Sequence, residues 1–313
     1  MRHLLTALIV SIVFLTVGCG QSAQYERSEK LMGTYVTLKA TGVEAQAAVD
    51  ESFDRLSVLI DEIMSDVKNV NAAAGSDEFV KLSPEVFEML TTAQRYSELT
   101  DGAFDVTIGA AVDIWRVARQ NKELPAPNEI EAVKNLVGFR HLQLNATDRS
   151  ARLDMSGVKL NLGGIGKGFC ADVVKQIFER HGISDGLIDF GSSSIYAFGK
   201  KTIGIKNPRG TSETVETIEL TDAALSTSGD YEQFFEVDGR RYHHIIDPKT
   251  CMPTDNGLAS VTVTVDGSTD NCGTLADILS TSLLITGEER GKELLKNLPL
   301  KIDTIMIKTE PST

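Results

Sequence analysis

The run Val158-Lys159-Leu160-Asn161-Leu162 reads as a strand. It leads into Gly163-Gly164-Ile165-Gly166-Lys167-Gly168, six residues of which four are glycine, and then into a helical segment ending near Gly182. A strand, a glycine run and a helix start limit what the chain can build around them. Glycine allows turns and close approaches that a Cβ would block, and a helix start offers N–H groups and the positive end of a dipole to an anion. Two readings fit these residues: a structural tight turn, or a place that holds a phosphate. The run is not a Walker A loop, because Gly168 stands where Ser or Thr must follow Lys167 to hold magnesium, and no acid closes a Rossmann fingerprint.

Charge decides what such a site would need. The 313 residues include 31 Lys and Arg against 44 Asp and Glu, a net charge of −13, and that field repels nucleic acid and anionic lipid. An anionic ligand therefore requires a local helper, a metal ion or a helix N-terminus. With 42% apolar and 24% charged residues the composition is that of a globular protein.

The first apolar run, Leu4 to Val17, follows Arg2 and His3 and is too short to span a bilayer, which takes about 20 residues, but it suits the apolar core of an export signal. It ends in Gly18-Cys19, which resembles a bacterial lipobox with Thr16 where Leu is usual. The reading is a signal over residues 1–18, a lipid on Cys19, a polar tether over 19–29 and a folded domain over 30–313. The protein is then exported and anchored to a bacterial membrane by that lipid alone. A plain cleaved signal is the alternative. Cys170, Cys251 and Cys272 remain, an odd number without a C-x-x-C pair, so neither a disulfide framework nor a zinc site is indicated, although one pair is possible.

Lys30 to Ala40 reads as a strand, and Val49, Phe53, Leu56, Ile60 and Ile63 fall on one helical face. Ser83-Pro84-Glu85 predicts the start of a helix through about Leu99, and a short helix runs from Asn128 towards Gly138. Strands are expected around His141–Leu144 and Ala151–Leu153. Phe234–Val237 and Arg241–Ile245 flank Asp238-Gly239, a pair suited to a type I′ turn. Leu258–Val265 and Lys301–Ile307 complete the strands, with a helix near Leu275–Ile285 between them. With no repeat, low-complexity tract or linker, one mixed α/β domain is the simplest reading.

Asp277 and Thr281 lie one turn apart on that last helix, so a carboxylate and a hydroxyl face the same way. Such a pair can hold magnesium if phosphates or waters complete the shell, though the spacing also arises by chance. His243 and His244 precede Ile245-Ile246-Asp247-Pro248. Strand alternation sends them to opposite faces, so one can face a site, while a hydrogen-bonded structural histidine is the plainer reading.

Six blocks, in order, resemble the ApbE family of FAD:protein FMN transferases. They are Thr100-Asp101-Gly102-Ala103-Phe104-Asp105-Val106-Thr107-Ile108-Gly109, Leu160 to Gly168, Ser226 to Tyr231, Tyr242 to Pro248, Asp255 to Val261, and Ala276 to Thr281. The resemblance runs from Met32-Gly33-Thr34 to the last strand. It implies an α+β fold, a single mixed α/β domain with largely antiparallel sheets flanked by helices, ApbE-like and T-fold-like. It also implies that Met32, Ala103, Phe104, Asp105, Asn161, Lys167 and Ile245 line an FAD site. The carbonyl of Gly164 and the side chains of Asp277 and Thr281 would surround Mg²⁺, and His244 matches the histidine needed for transfer. The implied reaction moves FMN from FAD to a Thr hydroxyl of an exported or membrane-bound acceptor protein and releases AMP. Lys167 and the N–H groups of the glycine run would steady the pyrophosphate.

Three departures from the family pattern stand out. Met64 to Asn71 lacks the aromatic residue often found over the flavin or adenine, Asn161 stands where Asp is common, and Gly191-Ser192-Ser193-Ser194 replaces a glycine-richer turn. Rival functions are an FAD pyrophosphatase giving FMN and AMP at the same residues, a non-catalytic FAD-binding lipoprotein, and a solute-binding lipoprotein, which the lack of repeated βαβ halves disfavours.

Overall fold

A computed structural model describes residues 23–210, 214–298 and 300–309. The proposed signal and Cys19 lie outside the described residues. The chain runs β1 (Gln24–Leu31), β2 (Thr34–Thr41), α1 (Ala45–Ala72), β3 (Val80–Lys81), α2 (Pro84–Leu99), α3 (Gly109–Asn121), α4 (Pro127–Lys134), β4 (Leu142–Asn145) and β5 (Ser150–Leu153). It continues with α5 (Gly166–Arg180), β6 (Gly186–Phe190), β7 (Ser194–Lys206), β8 (Thr214–Gly229), β9 (Phe234–Val237), β10 (Arg240–His243), β11 (Ile246–Asp247), β12 (Met252–Pro253), β13 (Leu258–Asp266), α6 (Cys272–Lys296) and β14 (Ile302–Lys308).

Seven strands form one sheet in the order β1-β2-β6-β7-β8-β13-β14, and every neighbouring pair is antiparallel. Alternation along the strands supplies its inner face. Val36, Leu38 and Ala40 of β2, Ile188 and Phe190 of β6, and Val261, Val263 and Val265 of β13 are fully buried in the core that α1, α5 and α6 complete. The antiparallel sheet with helices packed on it agrees with the expected fold class.

The segment expected as a tether is shorter than the sequence suggested. Residues 24–29 belong to strand β1, which pairs along its whole length with β2, and Met32-Gly33 turn between them with φ of 50° and 78°. The single strand expected over 30–40 is thus a hairpin. Val158–Leu162 is not a strand either: its contact with the 108 segment is one parallel bridge, Ile108 to Lys159. Ser83 does precede α2, but its hydroxyl donates to Asp66 at 2.7 Å instead of capping its own helix. Asp238 and Gly239 have φ of 52° and 77°, as a type I′ turn requires. Cys170, Cys251 and Cys272 are free, buried thiols.

Helices α5 and α6 are held together at their first turns by two carboxylates. Asp172 of α5 accepts the N–H groups of Gly273 and Thr274, at 2.8 and 2.7 Å, and so satisfies orphan donors at the start of α6. Asp277 of α6 returns the contact by accepting the N–H of Gly168 at 3.0 Å in the first turn of α5. The approach is close enough that a Cβ on Gly168 would stand 2.2 Å from the carbonyl oxygen of Gly273. Overpacking of this kind costs about 1–3 kcal/mol. Gly168→Ala is therefore expected to lower unfolding stability by that amount in a denaturant titration, while an unchanged midpoint would show that the crossing has room to spare.

Candidate functional site

The glycine loop, the middle of α6, the end of β8 and the segment after β10 meet around a cleft of about 330 Å³. Ala103, Phe104, Asp105, Asn161, Gly164, Lys167, His244, Ile245, Asp277 and Thr281 all line it. The structure thus gathers ten of the eleven residues picked out for the FAD site, the metal and the chemistry. Met32 does not line the cleft. Its methyl lies beside the start of α5, where a Cβ on Gly166 would come within 3.2 Å of it. A larger hollow of about 460 Å³ between α1, α2 and α5 contains none of these residues; of its five carboxylates, Glu51 and Glu85 are paired with Arg180 and Arg55, and Asp172 accepts the N–H groups at the start of α6.

Asp277 is the electrostatic centre of the cleft. It is 5% exposed, and besides Gly168 it accepts the hydroxyl of Ser226 at 3.1 Å. Desolvation raises its pKa, opposed first by the charge of Lys167 and then by these hydrogen bonds. The ammonium of Lys167 donates to Ser193, whose hydroxyl donates in turn to the Phe190 carbonyl at 3.1 Å. Thr281 shares a hydrogen bond of 3.1 Å with Ser228, and Gly164 lies against it, a Cβ there falling 3.2 Å from the threonine oxygen.

These groups are hard oxygens around one desolvated carboxylate, a set that suits Mg²⁺ better than zinc or copper. Among the described residues no group of three or more His, Cys, Asp or Glu could hold a metal. A cation here would rely on Asp277, the Thr281 hydroxyl and the Gly164 carbonyl, with phosphate or water for the rest. Within those terms the residues fit magnesium.

The glycine run does less for an anion than its sequence suggests. The N–H groups of Gly163, Ile165, Gly166 and Gly168 donate to Asn161 Oδ1, the Leu162 carbonyl twice, and Asp277. The glycines serve close approach instead, to Thr281, Met32 and Gly273. Positive charge for an anion therefore falls mainly to Lys167. Asn161, in the place of the usual Asp, organises the loop through its carbonyl oxygen. Asp105 acts similarly, accepting both the N–H and the hydroxyl of Thr107 at 2.7 Å, and burial raises its pKa.

The two histidines separate as alternation requires. His243 is buried, donates from Nε2 to the Thr254 carbonyl at 2.8 Å and accepts the Ile245 N–H on Nδ1 at 3.3 Å, which fixes one neutral tautomer. His244 reaches the cleft and remains open to solvent. Its pKa is lowered, first by desolvation on the side that faces the cleft wall, and then by the neighbouring His243 and the positive charges of Lys167 and Arg119. Sequence reasoning missed Val112, Ser193 and Gln233 as lining residues, and assigned no role to Ser226 and Ser228, whose hydroxyls hold Asp277 and Thr281. Only their place in a matching block pointed to the last two.

Residues 32–306 match the ApbE family. Similar curated proteins include the FAD:protein FMN transferase of Treponema pallidum, 31% identical over 96% of this chain and 90% of its own. That of Vibrio cholerae serotype O1 is 33% identical over 93% and 90%. Among solved structures, the ApbE protein of Thermotoga maritima superposes with a TM-score of 0.79 at 27% identity, covering 91% of this chain and 94% of its own. The flavin transferase ApbE from Vibrio cholerae gives 0.76 at 28% identity, covering 93% and 95%.

A lowered pKa leaves His244 neutral near pH 7, able to accept a proton, and it charges only as pH falls through the folded value. An NMR titration of the imidazole C–H signals of the free protein is expected to place its midpoint below 6.5. A midpoint at or above 6.5 would contradict the crowding inferred around the ring.

Proposed function

Because this chain belongs to the ApbE family, we propose that it transfers FMN from FAD to a threonine hydroxyl of an acceptor protein and releases AMP, with Mg²⁺ as cofactor. The observation that carries the reading is one cleft in which a desolvated carboxylate, a lysine and a neutral histidine converge. Two similar proteins bearing the name FAD:protein FMN transferase, at 31% and 33% identity over nearly the whole chain, support it.

Phosphoryl transfer is catalysed by positioning and by neutralising charge on phosphate oxygens. Lys167, held by Ser193, stands where it can pair with the pyrophosphate of FAD, and Asp277, Thr281 and Gly164 are the groups that would hold magnesium. The metal, when bound, supplies Lewis-acid stabilisation of the phosphate oxygens. Phe104, Ile245 and Asn161 wall the cleft against which the rest of FAD would lie. His244 takes the proton of the incoming hydroxyl as that oxygen bonds to the phosphorus of the FMN half. The bridging P–O bond breaks, and its electron pair leaves with AMP. General-base assistance of this kind is worth about 10²–10⁴-fold in rate.

The residues divide into those that bind and those that act in the transition state. His244→Ala should bind FAD with near-normal affinity in a flavin fluorescence titration yet lose transfer by about 10²-fold or more. Asp277→Ala should lose Mg²⁺-dependent turnover with the fold retained by circular dichroism. Wild-type transfer by His244→Ala would remove the histidine from the mechanism, and activity of Asp277→Ala unaffected by EDTA would remove the metal.

The export reading belongs with this proposal. The reading has the protein exported and held at the membrane by a lipid at Cys19, after the apolar run Leu4 to Val17. Cys19→Ala should shift the protein from the membrane fraction to the soluble one or leave its signal uncleaved. Unchanged anchoring would show that something other than a lipid on Cys19 holds it.

A further inference from the structure

His244 sits in a gap between two strands. β10 ends at His243 and β11 begins at Ile246, so His244 and Ile245 belong to neither, yet both line the cleft. Buried backbone outside a ladder needs other hydrogen-bond partners. Ile245 is buried and finds them in two places. Its carbonyl accepts the N–H of Thr254, the residue after β12, at 3.1 Å, and its own N–H donates to Nδ1 of His243 at 3.3 Å.

The ring of His243 closes this arrangement into a clamp. While Nδ1 accepts from Ile245, Nε2 donates to the Thr254 carbonyl at 2.8 Å. One imidazole and one residue of the neighbouring segment thus hold both backbone polar groups of Ile245. Only a neutral ring protonated on Nε2 can do this, because an imidazolium would turn Nδ1 into a second donor facing the Ile245 N–H. Burial first, and then Arg241, work against that charge and lower the pKa of His243, opposed by the Thr254 carbonyl, Asp230 and Asp255. The ring of His244 is meanwhile hydrogen-bonded to the backbone of Gln233, whose side chain accepts from Arg119 of α3 at 2.5 Å. Main chain and ring of His244 are therefore held from separate segments, and the aim of its second ring nitrogen depends on both.

We propose that His243 is a positioning residue for the transfer reaction, a reading that rests on the proposed function: its ring fixes the His244–Ile245 peptide and, through it, the direction in which His244 enters the cleft. His243 itself does not line the cleft, so its influence passes through its neighbour. A histidine that merely filled the core would matter for stability alone. One that aims His244 matters for rate even in a folded protein, and only while His244 is present to be aimed.

The test follows AMP release and acceptor mass with the full-length protein, FAD, Mg²⁺ and an exported protein bearing an exposed threonine. His243→Ala is expected to lower kcat by about 10- to 100-fold, the scale of a misplacement of about 1 Å, with a smaller change in the KM for FAD. His243→Asn should recover most of the rate, because an Asn side-chain oxygen can accept the N–H two residues on and so keep the contact with Ile245. Adding His243→Ala to His244→Ala should cost nothing beyond the loss that His244→Ala shows alone. A readout that needs no variant is long-range ¹H–¹⁵N NMR of the wild type near neutral pH, which should show His243 as the Nε2–H tautomer. Wild-type kcat in His243→Ala, a loss that multiplies with that of His244→Ala, a folded His243→Asn no faster than His243→Ala, or an Nδ1–H tautomer would each overturn the positioning role and leave flavin transfer standing. Free FMN and AMP from the wild type, with an acceptor of unchanged mass, would overturn the transfer reading and the positioning role together.

Discussion

The cleft depends on the crossing of α5 and α6, where each helix supplies a carboxylate to the first turn of the other. Asp172 reaches Gly273 and Thr274, and Asp277 reaches Gly168. The exchange is possible because Gly168 and Gly273 bring the two backbones together with no side chain between them. A helix start has donors without intrahelical partners, and a buried carboxylate needs donors, so the two requirements cancel. Once the crossing is set, Lys167 and Thr281 have little freedom in where they project, one from the position before Gly168 on α5 and the other one turn beyond Asp277 on α6.

The same crossing explains how a chain with a net charge of −13 can accommodate an anion. Field strength at the site is set locally. Asp277 is desolvated and carries only hydrogen bonds and the nearby Lys167 against its charge, so a cation beside it would be favoured and would, with Lys167, offset the negative field of the surface. His244 lies at the edge of the cleft and is open to solvent, on the side away from Asp277 and Lys167 where the cleft adjoins a smaller hollow that neither of them lines.

Local signals in the sequence located α2, through Pro84 and Glu85, and the hairpin turn at Asp238-Gly239, because both rest on backbone preferences of the residues themselves. Helix α3 escaped notice: it starts at Gly109 after Ile108 in a helical conformation, with no side-chain cap to announce it. The strands β6, β7 and β8 were also missed. The first half of β8 is exposed and rich in Thr and Glu, so its alternation is weak where it begins, and its register comes from pairing with β7 and β13. In the cleft, family resemblance marked Asp277, Thr281 and His244. The hydroxyls of Ser193, Ser226 and Ser228 matter through partners 26 to 53 residues away, a relation that no local pattern carries.

The central claim is that the cleft joins FMN to a protein hydroxyl rather than handing it to water. Incubating the full-length protein with FAD, Mg²⁺ and an exported protein bearing an exposed threonine, then measuring AMP release beside the intact mass of the acceptor, tests it most directly. AMP appearing in equal amount with an acceptor heavier by one FMN residue is the predicted result. AMP appearing with an equal amount of free FMN, and an acceptor of unchanged mass, would contradict the account and assign the same residues to hydrolysis of FAD.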